Sequence, residues 1–256
     1  MGNKEEFIKI INGAKKDQNI LGLYLSGSRG KGKETKYSDY DIEIVVKDKV
    51  KDEYSKKYGE KQKLIKEISF RIFSISEFKT YANIGTEFEW GGPSFTYVKT
   101  IIDKNGDIQK LINEKGKIPK EYLKKYVSGF LDGYINYIYR SLKCFRDQNQ
   151  IGARLEVARS LNFFLIIIFG VEGRLTPYYK YLEWELKEHP LNKFKMSSKE
   201  IIKSLFKILE TGDIKTQQKL FIEVEKVFRK EGYSHVFDGW EKDQIEFIKT
   251  FKLKDY

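Results

Sequence analysis

The first part of the chain alternates hydrophobic and polar positions in short runs, a pattern that is typical of β-strands. Residues 4–17 come first, and their apolar side chains recur every three to four positions, which predicts a short amphipathic helix. Apolar or alternating runs then predict strands over residues 20–26, 41–46, 67–73 and 97–102. Because the 67–73 run alternates strictly, we expect it to lie beside the 41–46 strand with one face exposed to solvent.

The pattern changes to a helical period from Pro119 onwards. One side of a long helix is marked by Tyr122, Tyr126, Phe130, Tyr134 and Ile138. Residues 154–169 are too apolar for a surface helix, so we predict that they lie at the centre of a bundle. Further helices are predicted near residues 178–187, 198–210, 214–230 and 241–251. Gly212 and Gly232 are placed to end two of them.

Together these patterns predict an α+β fold with two domains. We place the boundary near residue 115, where strands with glycine turns give way to helices. Residues 1–115 are expected to form a small mixed sheet flanked by helices, and residues 116–256 a helical bundle. The junction between two such domains is a common place for a ligand cleft.

Composition narrows the kinds of site that the chain can hold. A single cysteine, Cys144, rules out an internal disulfide framework, and with only His189 and His235 beside it no Cys/His zinc cluster can assemble. Any bound metal must therefore have oxygen ligands. The net charge of +11 comes from lysines scattered through every segment, with no Arg-rich tract. A nucleic-acid partner is therefore not favoured, because the phosphates of a free nucleotide would match the positive charge as well as those of a nucleic acid would.

The sequence predicts neither a membrane span nor a secretion signal. The longest apolar run, Leu161 to Val171, is interrupted by Asn162 and is far shorter than the ~20 residues needed to cross a bilayer. The first ten residues carry an acidic pair where a secretory signal would be apolar. We therefore expect a cytoplasmic protein with no membrane partner.

Asp39 and Asp41 carry the strongest chemical signal. Residues two apart on a strand point to the same side, so their carboxylates should project together while Tyr40 and Ile42 face away. Two adjacent carboxylates repel each other unless a cation lies between them, which makes a divalent metal the simple explanation. Oxygen ligation suits magnesium, as one or two ions, and a triphosphate would be its natural co-ligand.

A glycine-serine turn precedes the acidic pair, and Asp39 lies eleven positions after Ser28. Gly27 would let the backbone approach phosphates, and the Ser28 hydroxyl and neighbouring amides could donate to them. The cations Arg29, Lys31 and Lys33 could neutralise charge nearby.

These residues resemble the signature of the polymerase-β-like nucleotidyltransferase superfamily. That signature is a strand, Gly-Ser, a loop of about ten residues, and Asp-X-Asp on the next strand. Here it corresponds to Gly27-Ser28 and Asp39-Tyr40-Asp41, preceded by Ser38. The resemblance implies that Asp39 and Asp41 bind the metal and act in catalysis, while Gly27, Ser28, Arg29 and Ser38 bind the nucleotide.

The resemblance also implies a third carboxylate on the following strand, as a metal ligand or as a base toward the acceptor. Glu67 is our candidate, because Glu67-Ile68-Ser69-Phe70 is similar to the segment that carries the base in aminoglycoside adenylyltransferases. Glu43 would share the side of Asp41 on its strand and competes for the same role.

A second resemblance lies in the helical part. Residues 173–186, GRLTPYYKYLEWEL, are similar to a GR-x-x-PY-x-KYL-x-WEL segment of nucleotidyltransferase-domain proteins related to aminoglycoside-modifying enzymes. The likeness continues through the GD at 212–213 and the DGW at 238–240. In related enzymes a lysine of the helical domain reaches the triphosphate, and Lys180 is the matching position.

The resemblance implies transfer of a nucleoside monophosphate, AMP from ATP, to a hydroxyl of a small acceptor such as an aminoglycoside-like antibiotic, with release of pyrophosphate. Acidic residues that could meet a cationic sugar are Glu87, Glu89, Glu183 and Glu185. The positive net charge argues against a polycationic acceptor. Transfer to tRNA or to a protein, and nucleotide binding without turnover, stay open as alternatives. Related enzymes often complete the cleft with a neighbour's helical domain, so a homodimer is a further expectation.

Overall fold

The computed structural model of the chain describes residues 3–65 and 67–253, and its first unit is built on a four-stranded sheet. The strands are β1 (Ile20–Leu25), β2 (Tyr40–Val46), β3 (Ile68–Ser74) and β4 (Thr100–Asp103). Their order across the sheet is β3-β2-β1-β4. β1 is antiparallel to both β2 and β4, whereas β2 and β3 are parallel. The sheet is therefore mixed, as predicted.

Helices flank this sheet throughout the first unit. They are α1 (Asn3–Lys16), α2 (Gly27–Gly30), α3 (Lys51–Leu64), α4 (Ile75–Thr80) and α5 (Asp107–Lys115). Parallel strands need a long crossover, and α3 supplies it between β2 and β3. The low amphipathicity of α3 hid it from sequence patterns, although its buried Tyr54 and Tyr58 are spaced four residues apart.

The two faces of β2 differ, and this difference positions the functional residues. Ile42, Ile44 and Val46 point into a core shared with α1 and α3. On the opposite face Val45 belongs to a second core, but the two preceding positions on that face are Asp41 and Glu43. The face of β2 is therefore apolar near its end and acidic near its start.

Two local boundaries differ from the sequence prediction. β4 begins at Thr100 instead of residue 97, because Tyr97 has a positive φ of 67° that interrupts an extended strand. The amide of Thr100 donates to the side chain of Gln109 at 2.7 Å. The segment Gly27–Gly30, expected to be a plain turn, forms one turn of helix.

The second unit, from Pro119 onwards, consists of helices. They are α6 (Lys120–Arg146), α7 (Gln150–Gly170), α8 (Leu182–Glu188), α9 (Ser198–Thr211), α10 (Ile214–Lys230), α11 (Ser234–Asp238) and α12 (Lys242–Thr250). α7 contributes much of the core, and Gly212, with a positive φ of 68°, ends α9. The predicted α+β fold with a helical C-terminal part is confirmed. Among the described helices, none combines the length and apolar character that crossing a membrane would require.

Candidate active site

The turn after β1 lies against the start of β2. The amide of Ser26 donates to the carbonyl oxygen of Asp41 at 2.9 Å, which joins the two segments. Gly27 has a positive φ of 59°, and a Cβ at this position would lie 2.4 Å from Oδ2 of Asp41. The Asp41 carboxylate therefore occupies the space that any other residue at position 27 would fill.

The other oxygen of the Asp41 carboxylate is held by β3. The parallel register pairs Asp41 with Ser69, and the Ser69 hydroxyl donates to Oδ1 of Asp41 at 2.7 Å. Sequence reasoning quoted Ser69 only as part of a motif and missed this contact. The signal was present, since strand alternation puts Ser69 two positions after Glu67, on the strand beside Asp41.

Arg29 fixes the backbone that leads into β2. Its Nε donates to the carbonyl oxygen of Asp39 and its Nη2 to that of Ser38, both at 2.8 Å. The guanidinium also lies 3.9 Å from the centroid of the Tyr40 ring. Asp39 itself is exposed. Arg29 thus positions the main chain of Asp39, whose side chain faces solvent.

Ser28 and Ser38 are brought together across the loop. The Ser28 hydroxyl donates to Oγ of Ser38 at 2.8 Å, and Ser38 Oγ also accepts from the amide of Thr35 at 2.9 Å. Lys31, predicted to neutralise charge near the turn, donates to the carbonyl oxygens of Pro93 and Thr96 at 2.9 and 2.6 Å. These contacts brace the loop that carries the acidic pair.

The two candidates for the third carboxylate lie in different environments. Glu43 is buried, accepts from the Tyr24 hydroxyl at 2.5 Å and lies 3.9 Å from Arg71. Burial raises the pKa of Glu43, and the hydrogen bond from Tyr24 opposes that rise. Glu67 is exposed just before β3, and its carbonyl oxygen accepts from the amide of Tyr40 at 2.8 Å. The main chain of Glu67 is therefore fixed beside the start of β2.

Residues of the second resemblance lie in the helical unit. Lys180 is exposed on a 3₁₀ turn, and its Nζ lies 5.3 Å from the centroid of the Tyr181 ring. Its predicted role toward a triphosphate stays a prediction.

Glu185 and Arg174, both in the segment 173–186 of the second resemblance, interact with each other within the helical unit. Arg174 is ion-paired with the buried Glu185 and donates to the carbonyl oxygen of His189 at 2.9 Å. The Arg174 guanidinium also lies 5.0 Å from the centroid of the Phe169 ring. Glu185 is therefore not accessible to a cationic acceptor, contrary to our expectation, because its carboxylate holds Arg174 inside the unit.

The carboxylates at the turn suit magnesium. Among residues 3–65 and 67–253, no three or more acidic, histidine or cysteine side chains gather into a metal-binding group. Magnesium typically takes one or two protein carboxylates and completes its coordination with water and phosphate oxygens. Because Gly27 has no Cβ, Oδ2 of Asp41 can lie close to the backbone of this turn. The carboxylate oxygens of Asp39 and Asp41 therefore have the chemistry that magnesium binds.

Comparisons with known proteins identify the first unit. Residues 8–88 match the family model described as "Polymerase beta, Nucleotidyltransferase". A search of curated proteins found no match. One similar solved structure is a nucleotidyltransferase-like protein from Exiguobacterium sibiricum 255-15, with 11% sequence identity and a TM-score of 0.45 over 97% of this chain and 87% of that one. The matched segment contains the glycine-serine turn, the acidic pair and both candidates for the third carboxylate. Residues 8–88 of this chain thus form a nucleotidyltransferase domain of the polymerase-β type.

Proposed function

We propose that the chain is a magnesium-dependent enzyme that transfers AMP from ATP to a hydroxyl of a small acceptor, with release of pyrophosphate. The observation that carries the proposal is the placement of Asp41, with one carboxylate oxygen beside the bare Cα of Gly27 and the other held by Ser69. A carboxylate fixed in this way, in a nucleotidyltransferase domain, is suited to a hard cation and a polyphosphate.

In this reaction the acceptor oxygen forms a bond to the α-phosphorus, the bond from that phosphorus to the bridging oxygen breaks, and pyrophosphate leaves. Glu67 takes the proton of the acceptor hydroxyl, directly or through a water. Magnesium held by Asp39 and Asp41 would supply positive charge against the phosphate oxygens. Gly27 admits the nucleotide close to the backbone, while Ser28, Arg29 and Ser38 keep the loop in place.

Lys180 would balance the charge of the leaving pyrophosphate, since an ammonium is a compact point charge. For the acceptor we favour a small hydroxylated molecule of the aminoglycoside type on the resemblance alone. An acceptor panel is therefore part of the test, with RNA and protein acceptors included as alternatives.

The test is transfer of labelled nucleotide in the presence of magnesium, using each triphosphate in turn and a panel of aminoglycosides, lincosamides and RNA. We expect Asp41→Asn and Asp39→Asn each to lower the transfer rate by about 100-fold or more, because each removes a carboxylate that would hold the magnesium ion, whose positive charge would offset that of the phosphate oxygens. Asp52→Asn is the matched control, since Asp52 is exposed in the first turn of α3. Mass analysis of products and pyrophosphate release are the readouts.

Wild-type activity in either folded aspartate variant would contradict the mechanism. Triphosphate binding that depends on magnesium, with no pyrophosphate released by any acceptor, would instead favour nucleotide binding without turnover.

A further inference from the structure

A cavity of about 400 Å³ opens within the helical unit between α7, α9 and the start of α8. Buried leucines from three elements line it, among them Leu161, Leu182 and Leu205. Small-molecule sites in proteins typically range from ~300 to ~1,000 Å³. The cavity is therefore large enough for a ligand of modest size.

The rim of this cavity exposes large apolar side chains. α9 buries Ile201, Leu205 and Ile208, yet Phe206 and Leu209 on the cavity side are 61% and 55% exposed. Clustered apolar surface of this kind marks a binding site more often than isolated exposed side chains do. The lining thus offers an apolar contact surface that residues 3–65 and 67–253 leave open.

The polar part of the lining consists of Asn162, Tyr179 and Glu183. The Tyr179 hydroxyl donates to Oδ1 of Asn162. Glu183 supplies the charge of the lining, and within the described residues no lysine, arginine or histidine forms an ion pair with it. Lys180, three positions earlier, has its Nζ near the ring of Tyr181 instead. The Glu183 carboxylate is therefore exposed at this cavity without an ion pair from the described residues.

We propose that this cavity binds a small amphiphilic cation, with an apolar body between α7 and α9 and an ammonium group at Glu183. The apolar lining would bind the body of the ligand by burying its apolar surface, and the Glu183 carboxylate would attract its positive charge. The inference depends on the second unit alone and is independent of the proposed nucleotidyl transfer.

The test uses three probes that share one apolar body: 4-phenylbutylamine, 4-phenylbutanol and 4-phenylbutyrate. Methyl-labelled protein that contains both units is titrated with each probe at neutral pH and followed by NMR. We expect the leucine methyls of the cavity to shift, and the amine to bind about two- to five-fold more tightly than the alcohol, because the carboxylate is exposed and the ion pair is partly screened. The carboxylate probe should bind most weakly.

Two substitutions, with a third as a control, separate the contribution of the charge to binding from that of the apolar contact. Glu183→Gln should reduce the amine to the affinity of the alcohol, whereas Glu188→Gln, the same charge change on an exposed residue of α8, should leave the preference intact. Ala158→Trp, at an exposed position of α7 that lines the cavity, should abolish binding of all three probes. The unfolding temperature reports whether each variant folds. If Ala158→Trp does not fold, the affinities measured with Glu183→Gln still test whether the Glu183 charge contributes to binding of the amine.

The inference is overturned if no probe shifts the cavity methyls at millimolar concentration, or if amine and alcohol bind equally and Glu183→Gln changes neither. It is also overturned if sedimentation shows a dimer that Ala158→Trp dissociates, because a second copy of the chain would then be the occupant.

Discussion

Gly27 couples the conformation of the backbone to the position of a functional side chain. Its φ of 59° is one that other residues adopt at a cost, and its missing Cβ gives Oδ2 of Asp41 its place. Two separate reasons therefore require glycine at this position. The first reason, the positive φ, could be inferred from the sequence, since a Gly-Ser turn after a strand favours glycine. The contact between position 27 and Asp41 is seen only in the folded structure.

Gly32 allows these two reasons to be separated by experiment. Its φ of 63° is similar, but a Cβ there would meet nothing within 4 Å. We expect Gly32→Ala to cost about 1 kcal/mol of unfolding free energy, because it forces a Cβ into the left-handed region, and Gly27→Ala to cost more, because its Cβ must also displace the Asp41 carboxylate. Only Gly27→Ala should also abolish transfer, since it displaces the Asp41 carboxylate.

Thermal unfolding and transfer rates of the two glycine variants provide the measurement. If Gly27→Ala retained the activity of Gly32→Ala, the position of Asp41 in this turn would be irrelevant to catalysis.

At the scale of single elements, strand alternation predicted which face of β2 is acidic, because the period of two is a local property of the chain. The neighbouring strand was predicted as well, but the parallel register that pairs Asp41 with Ser69 was not. Pairing between β2 and β3 depends on the crossover through α3, so the contact between Asp41 and Ser69 joins residues that are far apart in sequence. The helix α3 was likewise missed, since its apolar positions are few among charged residues, and α5 was missed although Ile108, Leu111 and Ile112 have the spacing of one helix face.

The pairing of β2 with β3 places the two candidates for the third carboxylate in different environments, so substitutions can distinguish them. Glu67→Gln should slow transfer while nucleotide binding persists, because an exposed carboxylate beside the start of β2 is lost as a base. Glu43→Gln should retain transfer, since its amide oxygen can still accept from Tyr24. Transfer rates and nucleotide affinity of the two variants are compared directly, and equal loss of transfer in both would assign a catalytic role to Glu43 as well.

Stability as a function of pH gives a second readout for Glu43. Because burial raises its pKa, the folded protein holds the proton more tightly than the unfolded chain, so wild-type stability should fall as pH rises above the ordinary value of 4.5. Glu43→Gln should remove that contribution and unfold at a higher temperature at neutral pH. The comparison is made without magnesium, so that only the protein's own charges are varied.

At the scale of the whole molecule, the change of hydrophobic period near residue 115 predicted a sheet-containing part followed by helices, and the fold class agrees with it. Among described residues, the cores of the first unit use positions up to Ile112, and the core of the second uses positions from Leu123 onwards. The identity of the acceptor has no comparable signature, because specificity depends on a few side chains whose spatial arrangement a hydrophobic pattern does not encode.

Separate cores lead to a prediction about how the units respond to substitution. Ile112→Val and Ile208→Val remove one methylene each from fully buried sites, one in each unit. Each should cost about 1 kcal/mol. Hydrogen exchange measured by mass spectrometry should show reduced protection only in the unit that carries the substitution. Reduced protection in both units, in either variant, would indicate one cooperative fold.

The hydroxyl that steadies Asp41 comes from a residue 28 positions later in the chain. During synthesis the aspartate therefore leaves the ribosome before its partner exists, and β3 can join the sheet only after α3 has been made. A nascent chain that ends within α3 already contains the glycine-serine turn and both aspartates, but it lacks the hydroxyl that orients Asp41. Maturation of the site is thus delayed until translation has passed Ser69.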